Sequence, residues 1–168
     1  MPHPVPPNEE KRLEVLQSLG IMDTERDPRF DELCREAAES FRAPIALITL
    51  VDRNRQWFKS TCGLDVNGTP REHAFCTHAI MSEHVMVVPD ARIDRRFAAN
   101  PLVIGPPHVV FYAGAPIVYG EGIRLGTLCI IDHKPRQISV DDVYTLGEIA
   151  DRISGEIWSL AFASQEET

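Results

Sequence analysis

The sequence has no long apolar run and no cluster of basic residues. Its longest apolar stretch, residues 43–51, contains Pro44 and Thr49 and is far shorter than the ~18 residues that cross a membrane. The chain has 17 Lys and Arg and 25 Asp and Glu, so its net charge is -8. No run of basic residues is long enough to bind the phosphates of a nucleic acid. We therefore expect neither a membrane nor nucleic acid as a partner.

Signs of secretion are also missing. Residues 1–7 are rich in proline but lack the basic and then apolar pattern of a secretory signal. The four cysteines contain no CxxC pair, which indicates reduced thiols rather than a disulfide framework. We expect a cytoplasmic protein.

The strings GxSxG, HExxH and GxxxxGK[ST], which mark common hydrolases and nucleotide-binding proteins, are absent. What is present is the composition of a folded domain: 168 residues, of which 43% are hydrophobic and 25% charged. One domain is predicted.

Local patterns predict three helices, of which the first is short and the last is long, and two β-hairpins. The helices are expected to begin at Glu9, Pro28 and Ser139, where acidic, proline or capping residues precede apolar residues at helical spacing. The hairpins are predicted at residues 45–62 and 112–131, and residues 86–89 can form only an edge or short strand because Pro89 donates no ladder bond. A short helix is compatible with residues 76–81, and residues 90–107 are predicted to be loop.

This order of elements predicts an α+β fold, in which an antiparallel β-sheet of five or six strands is flanked by helices, with a long C-terminal helix. We expect a flexible Pro-rich tail at residues 1–7, the domain at 8–162 and a C-terminal tail at 163–168.

Seven strings in one order resemble a known family. They are NEEKRL (8–13), QWF (56–58), FCTHAI (75–80), VPDA (88–91), NPLV (100–103), FYAGAPI (111–117) and LGTLCIID (125–132). Together they resemble a GAF domain of the bacterial signal-transduction type. The resemblance implies a small-molecule cavity over one face of the sheet. Such domains commonly precede kinase or cyclase modules, so we expect output through a separate kinase or cyclase or through self-association.

The sequence contains one group of possible metal ligands. His73, Cys76, His78 and His84 are close in sequence, but their spacing fits no known zinc pattern, and we expect no zinc. Haem bound through His78 or His108 stays open, although a lone histidine is more often structural.

Cys76 lies where a loop is predicted to become a helix, and a helix N-terminus favours a thiolate. Its place resembles that of one cysteine of the free methionine-(R)-sulfoxide reductases, which are GAF-type enzymes. The attacking cysteine expected before Phe111 is absent, however, and we expect Cys76 to be structural. A thiol-dependent enzyme of this type is the alternative function.

Two other GAF ligands are disfavoured by missing residues. The Asn-Lys dipeptide of cyclic-nucleotide-binding members occurs nowhere in the chain. In bilin-binding members a histidine directly follows the attachment cysteine, whereas Thr77 separates Cys76 from His78 here. We expect neither a cyclic nucleotide nor a covalent bilin.

The remaining hypothesis is a noncovalent cavity with apolar walls and a few polar groups. The ligand is unknown, and the predicted ligand-binding residues are Trp57, Arg71, Phe75, Cys76, His78, Phe97, Phe111 and Tyr112. No catalytic residue is assigned, and the chain is expected to be a non-enzymatic sensory or regulatory module.

A homodimer through the terminal helices is also expected, because the last helix has two apolar sets. One set is Val143, Leu146, Ala150, Ile153, Ile157 and Leu160, and the other is Ile149, Trp158, Ala161 and Phe162.

Overall fold

The structure is a computed structural model that describes residues 3–166, without the side chains of 164–166. Its helices are α1 (Glu9–Leu19), α2 (Pro28–Phe41), α3 (Cys76–Ala79), α4 (Pro101–Ile104) and α5 (Val140–Glu166). Its strands are β1 (Ile45–Val51), β2 (Arg55–Cys62), β3 (Gly68–Pro70), β4 (Met86–Val88), β5 (Phe111–Val118) and β6 (Arg124–Asp132). Short 3-10 helices occupy Arg71–His73 and Ala91–Ile93.

The helix ends follow from local chemistry. The Asp27 carboxylate accepts a hydrogen bond from the Arg29 amide at the start of α2. At the start of α5, Ser139 and Asp142 each accept a bond from the other's backbone amide, which confirms the predicted cap. Asn8 differs from expectation, because its side chain donates to the Gly122 carbonyl and does not cap α1.

The strands form one sheet in the order β3-β2-β1-β6-β5-β4, with every neighbouring pair antiparallel. The predicted α+β fold is confirmed, with six strands. In the centre Thr49 of β1 is paired with Thr127 of β6, and their hydroxyls are 3.0 Å apart. Gly126 allows this pairing, since a Cβ there would lie 1.8 Å from the Thr49 carbonyl oxygen.

Side-chain alternation gives the sheet two apolar faces. Ala46, Ile48 and Leu50 face the layer of α1, α2 and α5, together with Phe111 and Ala113 of β5. The opposite face lies under the chain between β2 and β5 and has its own buried cluster. That cluster includes Ile45, Leu47, Phe58, Phe75, Phe97, Tyr112, Cys129 and Ile131.

Three sequence predictions need correction. The segment 90–107 is not all loop, because Asn100 caps α4 by accepting from the Leu102 amide at 2.8 Å. Strand β3 was not predicted. The last helix continues to Glu166, so most of the predicted tail at 163–168 is helical backbone, and residues 167 and 168 lie outside the described part. Within residues 3–166, no helix combines the length and apolar character needed to cross a bilayer.

Candidate functional site

A cavity of about 280 Å³ lies on the sheet face opposite the long helices. Its floor is formed by side chains of β1, β2, β5 and β6, and its walls by the segments 64–76 and 102–109. The lining residues are Leu47, Gln56, Phe58, Leu64, Val66, Gly68, Thr69, Pro70, Phe75, Cys76, Leu102, Pro106, Pro107, Val109, Tyr112, Cys129 and Ile131. Concave, mainly apolar spaces with few polar groups are typical of small-molecule sites.

A chain of hydrogen bonds crosses this apolar lining. The Cys76 thiol donates to Gln56 Oε1, and Gln56 Nε2 donates to Thr69 Oγ1 at 2.8 Å. The Thr69 hydroxyl donates in turn to the Pro70 carbonyl at 3.2 Å. Because β2 and β3 are paired at Gln56 and Thr69, the sheet register itself brings these two side chains together. The chain fixes the orientation of the Gln56 amide in the cavity.

The thiols at the cavity are protonated at neutral pH. Burial raises the pKa of Cys76 to about 12, and burial also raises the pKa of Cys129 well above its ordinary value. The thiolate is the nucleophilic form of cysteine. The position of Cys76 at the first residue of α3 therefore does not make it an attacking group in this structure, since desolvation outweighs the short helix.

Aromatic rings form one wall of the cavity. Phe75 stacks on Phe97 with ring centroids 4.0 Å apart and packs at 5.1 Å against Tyr112. The Tyr112 ring lies along its own strand over Gly114, where a Cβ would be 2.3 Å from the Tyr112 hydroxyl. Among the described residues this hydroxyl has no hydrogen-bond partner. The glycine is thus required for the ring to lie in this wall.

The predicted ligand residues are divided between the cavity and other places. Phe75, Cys76 and Tyr112 line the cavity. Phe97 lies behind Phe75, and the half-buried His78 contacts the Phe97 ring edge-on at 5.0 Å. Burial, and then the nearby Arg96, lower the pKa of His78.

Trp57 and Phe111 pack on the helical face of the sheet and are absent from the cavity lining. The physical reason is strand geometry. Neighbours along a strand point to opposite faces, so Gln56 and Tyr112 reach the cavity where Trp57 and Phe111 cannot. Their assignment to the ligand site is corrected accordingly.

Arg71 is buried beside the cavity but is occupied by an ion pair. Its guanidinium contacts both carboxylate oxygens of Glu9, and its Nη1 also donates to the Asp52 carbonyl at 3.1 Å. Arg12 binds the same carboxylate at 2.9 and 3.0 Å and donates to the Val51 carbonyl. Burial alone would raise the pKa of Glu9, but the bonds from Arg71 and Arg12 lower it to about 2. We call Glu9, Arg12 and Arg71 the buried ion triad.

Sequence reasoning missed Gln56, Leu47 and Val66 as cavity residues. Gln56 could have been found from the sequence, because it lies two residues before the apolar Phe58 on β2 and residues two apart on a strand share a face. Val66 lies in an irregular segment and carried no such signal. The group His73, Cys76, His78 and His84 does not converge, since Cys76 is buried and His84 is exposed. Among the described residues no three His, Cys, Asp or Glu side chains are placed to hold a metal ion.

The chain belongs to the GAF domain family. The family model for the GAF domain matches residues 25–157, which are most of the chain. The match confirms the resemblance inferred from the seven sequence strings. It also agrees with the architecture, a six-stranded antiparallel sheet with long helices on one face.

One relative corrects the expectation that the protein is not an enzyme. It is the cyclic di-GMP phosphodiesterase PA2567 of Pseudomonas aeruginosa, with 41% identity over 158 residues. The match covers 94% of this chain and 27% of that protein. The non-enzymatic prediction rested on missing hydrolase strings within these 168 residues and is overturned by this likeness to a named enzyme.

Solved structures share the fold at low sequence identity. The GAF domain of a phosphoenolpyruvate-protein phosphotransferase from Coxiella burnetii has a TM-score of 0.68 at 14% identity, covering 93% of this chain and 98% of that one. A type II free methionine-R-sulfoxide reductase from Thermoplasma acidophilum has a TM-score of 0.64 at 16% identity, covering 79% of this chain and 92% of that one. At such identities the likeness establishes the fold alone.

Proposed function

We propose that the protein takes part in the breakdown of cyclic di-GMP and that the GAF domain is its sensory module, controlled by a small molecule in the cavity. The cavity is the main observation that supports this proposal. It has an apolar lining, a fixed amide at Gln56 and walls made of loop segments that a ligand can order. The named activity of the Pseudomonas aeruginosa relative supports the choice of cyclic di-GMP.

The cavity itself is too small for cyclic di-GMP. Its volume of about 280 Å³ lies at the lower end of the range of about 300–1,000 Å³ that is typical of small-molecule sites. A cyclic dinucleotide is several times larger and carries charged phosphodiesters. The signal in the cavity is therefore a different, smaller molecule, and hydrolysis takes place outside the cavity.

The buried ion triad supports a route for the signal out of the cavity. Pro70 lines the cavity, and the next residue, Arg71, is bound to Glu9 in the first turn of α1. A ligand that moves the 64–76 wall acts on α1 through this ion pair. The output then goes to a phosphodiesterase rather than to the kinase or cyclase expected from the sequence.

Self-association through α5 is part of the proposal. Trp158 and Phe162 are 41% and 57% exposed, and Trp158 stacks on Tyr119 at 4.3 Å. Leu13 and Leu16 of α1 are buried within the chain, as is Ile149, which was expected on the free side of α5. The exposure of Trp158 and Phe162, and the burial of the apolar residues of α1 within the chain, support a homodimer. Its interface is the C-terminal half of α5 rather than both terminal helices.

A cytoplasmic site of action is also proposed. Cys34, Cys76 and Cys129 are buried as free thiols, which suits a reducing compartment.

The sensory role is tested with a chimera. This chain replaces the matching 27% of the Pseudomonas aeruginosa phosphodiesterase, and cyclic di-GMP hydrolysis is measured in the chimera with and without Val66→Trp. Val66 lines the cavity and is 45% exposed, so the larger ring blocks the cavity without entering the core. Val5→Trp, at a residue that is 47% exposed and outside the cavity lining, is the matched control.

We expect an active chimera whose rate changes with Val66→Trp and not with Val5→Trp. Native mass spectrometry of the freshly purified chain is expected to show a retained small molecule that Val66→Trp removes. Equal rates and equal masses for both variants would refute the sensory role of the cavity.

A further inference from the structure

The lining of the cavity limits the charge of its ligand. Among the described residues that line it, no side chain is ionised at neutral pH, because Cys76 and Cys129 are protonated. The neighbouring Arg71 is not among the lining residues, and its Nη1 and Nη2 groups are bound to Glu9 and to the Asp52 carbonyl, whereas its buried Nε has no partner among the described residues. An ion placed in such a space loses its hydration and finds no opposite charge among the lining residues, which is unfavourable.

The hydrogen-bond chain leaves one of its own donors unused, and the buried Tyr112 hydroxyl in the cavity lining also has no partner among the described residues. The single hydrogens of the Cys76 thiol and the Thr69 hydroxyl are both used, the first on Gln56 and the second on the Pro70 carbonyl. A side-chain amide has two N–H groups, and Gln56 uses one of them on Thr69 Oγ1. The other N–H has no acceptor among the described residues. Gln56 lines the cavity, so this N–H is available to an acceptor oxygen there.

We propose that the cavity binds a small, uncharged, mainly apolar molecule with an acceptor oxygen, such as a ketone or ester, which accepts from Gln56. This inference rests on the proposed function, because it names the class of ligand for the same cavity. It separates that class from amino acids, organic acids and nucleotides, which are ionised at neutral pH.

The charge requirement is tested with two probes of the same size and shape, acetophenone and benzoate. Binding to the full chain is measured by isothermal titration calorimetry at neutral pH. We expect acetophenone to bind saturably and benzoate to bind at least about 100-fold more weakly, because the benzoate charge is buried without a partner. Val66→Trp should abolish acetophenone binding, whereas Val5→Trp should leave it unchanged.

The role of Gln56 is tested by the ratio of two affinities within one protein. Propylbenzene matches acetophenone in size but has no acceptor. We expect the unmodified protein to prefer acetophenone roughly fivefold, the value of one neutral hydrogen bond, and Gln56→Leu to remove the preference. Any general effect of the substitution on the cavity changes both affinities and cancels in the ratio.

The outcomes separate the two proposals. Benzoate binding as tight as acetophenone binding, and lost in Val66→Trp, would overturn the ligand class and leave the sensory cavity in place. An unchanged preference for acetophenone in Gln56→Leu would overturn the role of Gln56. Failure of both probes to bind at millimolar concentration would overturn the ligand class and count against the sensory cavity as well.

Discussion

Replacing Glu9 by Gln tests the buried ion triad. The Glu9 carboxylate is 13% exposed and binds two guanidiniums, Arg12 at 0% and Arg71 at 1% exposure. Its pKa is about 2, against 4.5 for an ordinary glutamate. A difference of about 2.5 units corresponds to about 3 kcal/mol of folding free energy. Glu9→Gln leaves two buried positive charges with a neutral partner, so we expect a loss of about 3 kcal/mol at pH 7.

The pH dependence has a definite sign. The native pKa of Glu9 is lower than the unfolded one, so its stabilisation is complete above pH 4.5 and is lost as the pH falls toward 2. About 2 kcal/mol of it should disappear between pH 7 and pH 3. The stability difference between the unmodified protein and Glu9→Gln should shrink by that amount over the same range.

Urea unfolding followed by tryptophan fluorescence measures both effects. With a dependence of about 2 kcal/mol per molar urea, a loss of 3 kcal/mol lowers the midpoint by about 1.5 M. Glu10→Gln is the matched control, because Glu10 is 77% exposed and pairs with the exposed Arg53, and exposed pairs contribute little. Equal midpoints for the two variants, or a difference independent of pH, would refute the energetic role given to the triad.

Two further predictions concern the cavity wall. Cys76→Ser should fold normally. In the native protein Cys76 should resist iodoacetamide at pH 8 while the half-buried Cys62 reacts, because burial raises the pKa of Cys76 to about 12. Equal labelling of the two cysteines in mass spectrometry would contradict this prediction. Gly114→Ala should lower stability by about 2 kcal/mol, because its Cβ would lie 2.3 Å from the Tyr112 hydroxyl. Gly147→Ala on α5, where no atom lies within 4 Å of the new Cβ, should instead raise stability by up to about 1 kcal/mol. If urea unfolding gave the same change in stability for Gly114→Ala and Gly147→Ala, the packing of Tyr112 over Gly114 would be contradicted.

The long elements were predictable because their signals are local. Leu13 and Leu16 at helical spacing, followed by Gly20 in the left-handed region, define α1 and its end within a few residues. Strand β3 had no such signal, since Gly-Thr-Pro favours turns. It forms because Gly68 fits against the Gln56 carbonyl, where a Cβ would lie at 2.3 Å. This close contact between Gly68 and the Gln56 carbonyl depends on tertiary structure.

The cavity was predictable only in part because residue type does not determine which face a strand residue occupies. Phe111 and Tyr112 are neighbours on β5 and so point to opposite faces, a restriction that the choice of aromatic residues ignored. Arg71 was predicted to bind the ligand, but it is not among the cavity-lining residues, and its partner Glu9 is 62 residues away along the chain. A single sequence carries no signal for such a pairing, and so it did not predict that the Arg71 guanidinium already has a carboxylate partner.

This ion pairing connects the chemistry of the cavity to the route proposed for its signal. If the Nη groups of Arg71 bound a ligand anion, they would have to leave Glu9, and that carboxylate would remain buried with Arg12 as its one strong partner. A neutral ligand beside Pro70 avoids this cost, because it leaves the ion pair intact. In the proposed route Arg71 and Glu9 then move together, and α1 follows the cavity wall. In this proposal the triad that holds Arg71 away from the ligand is also the link to α1.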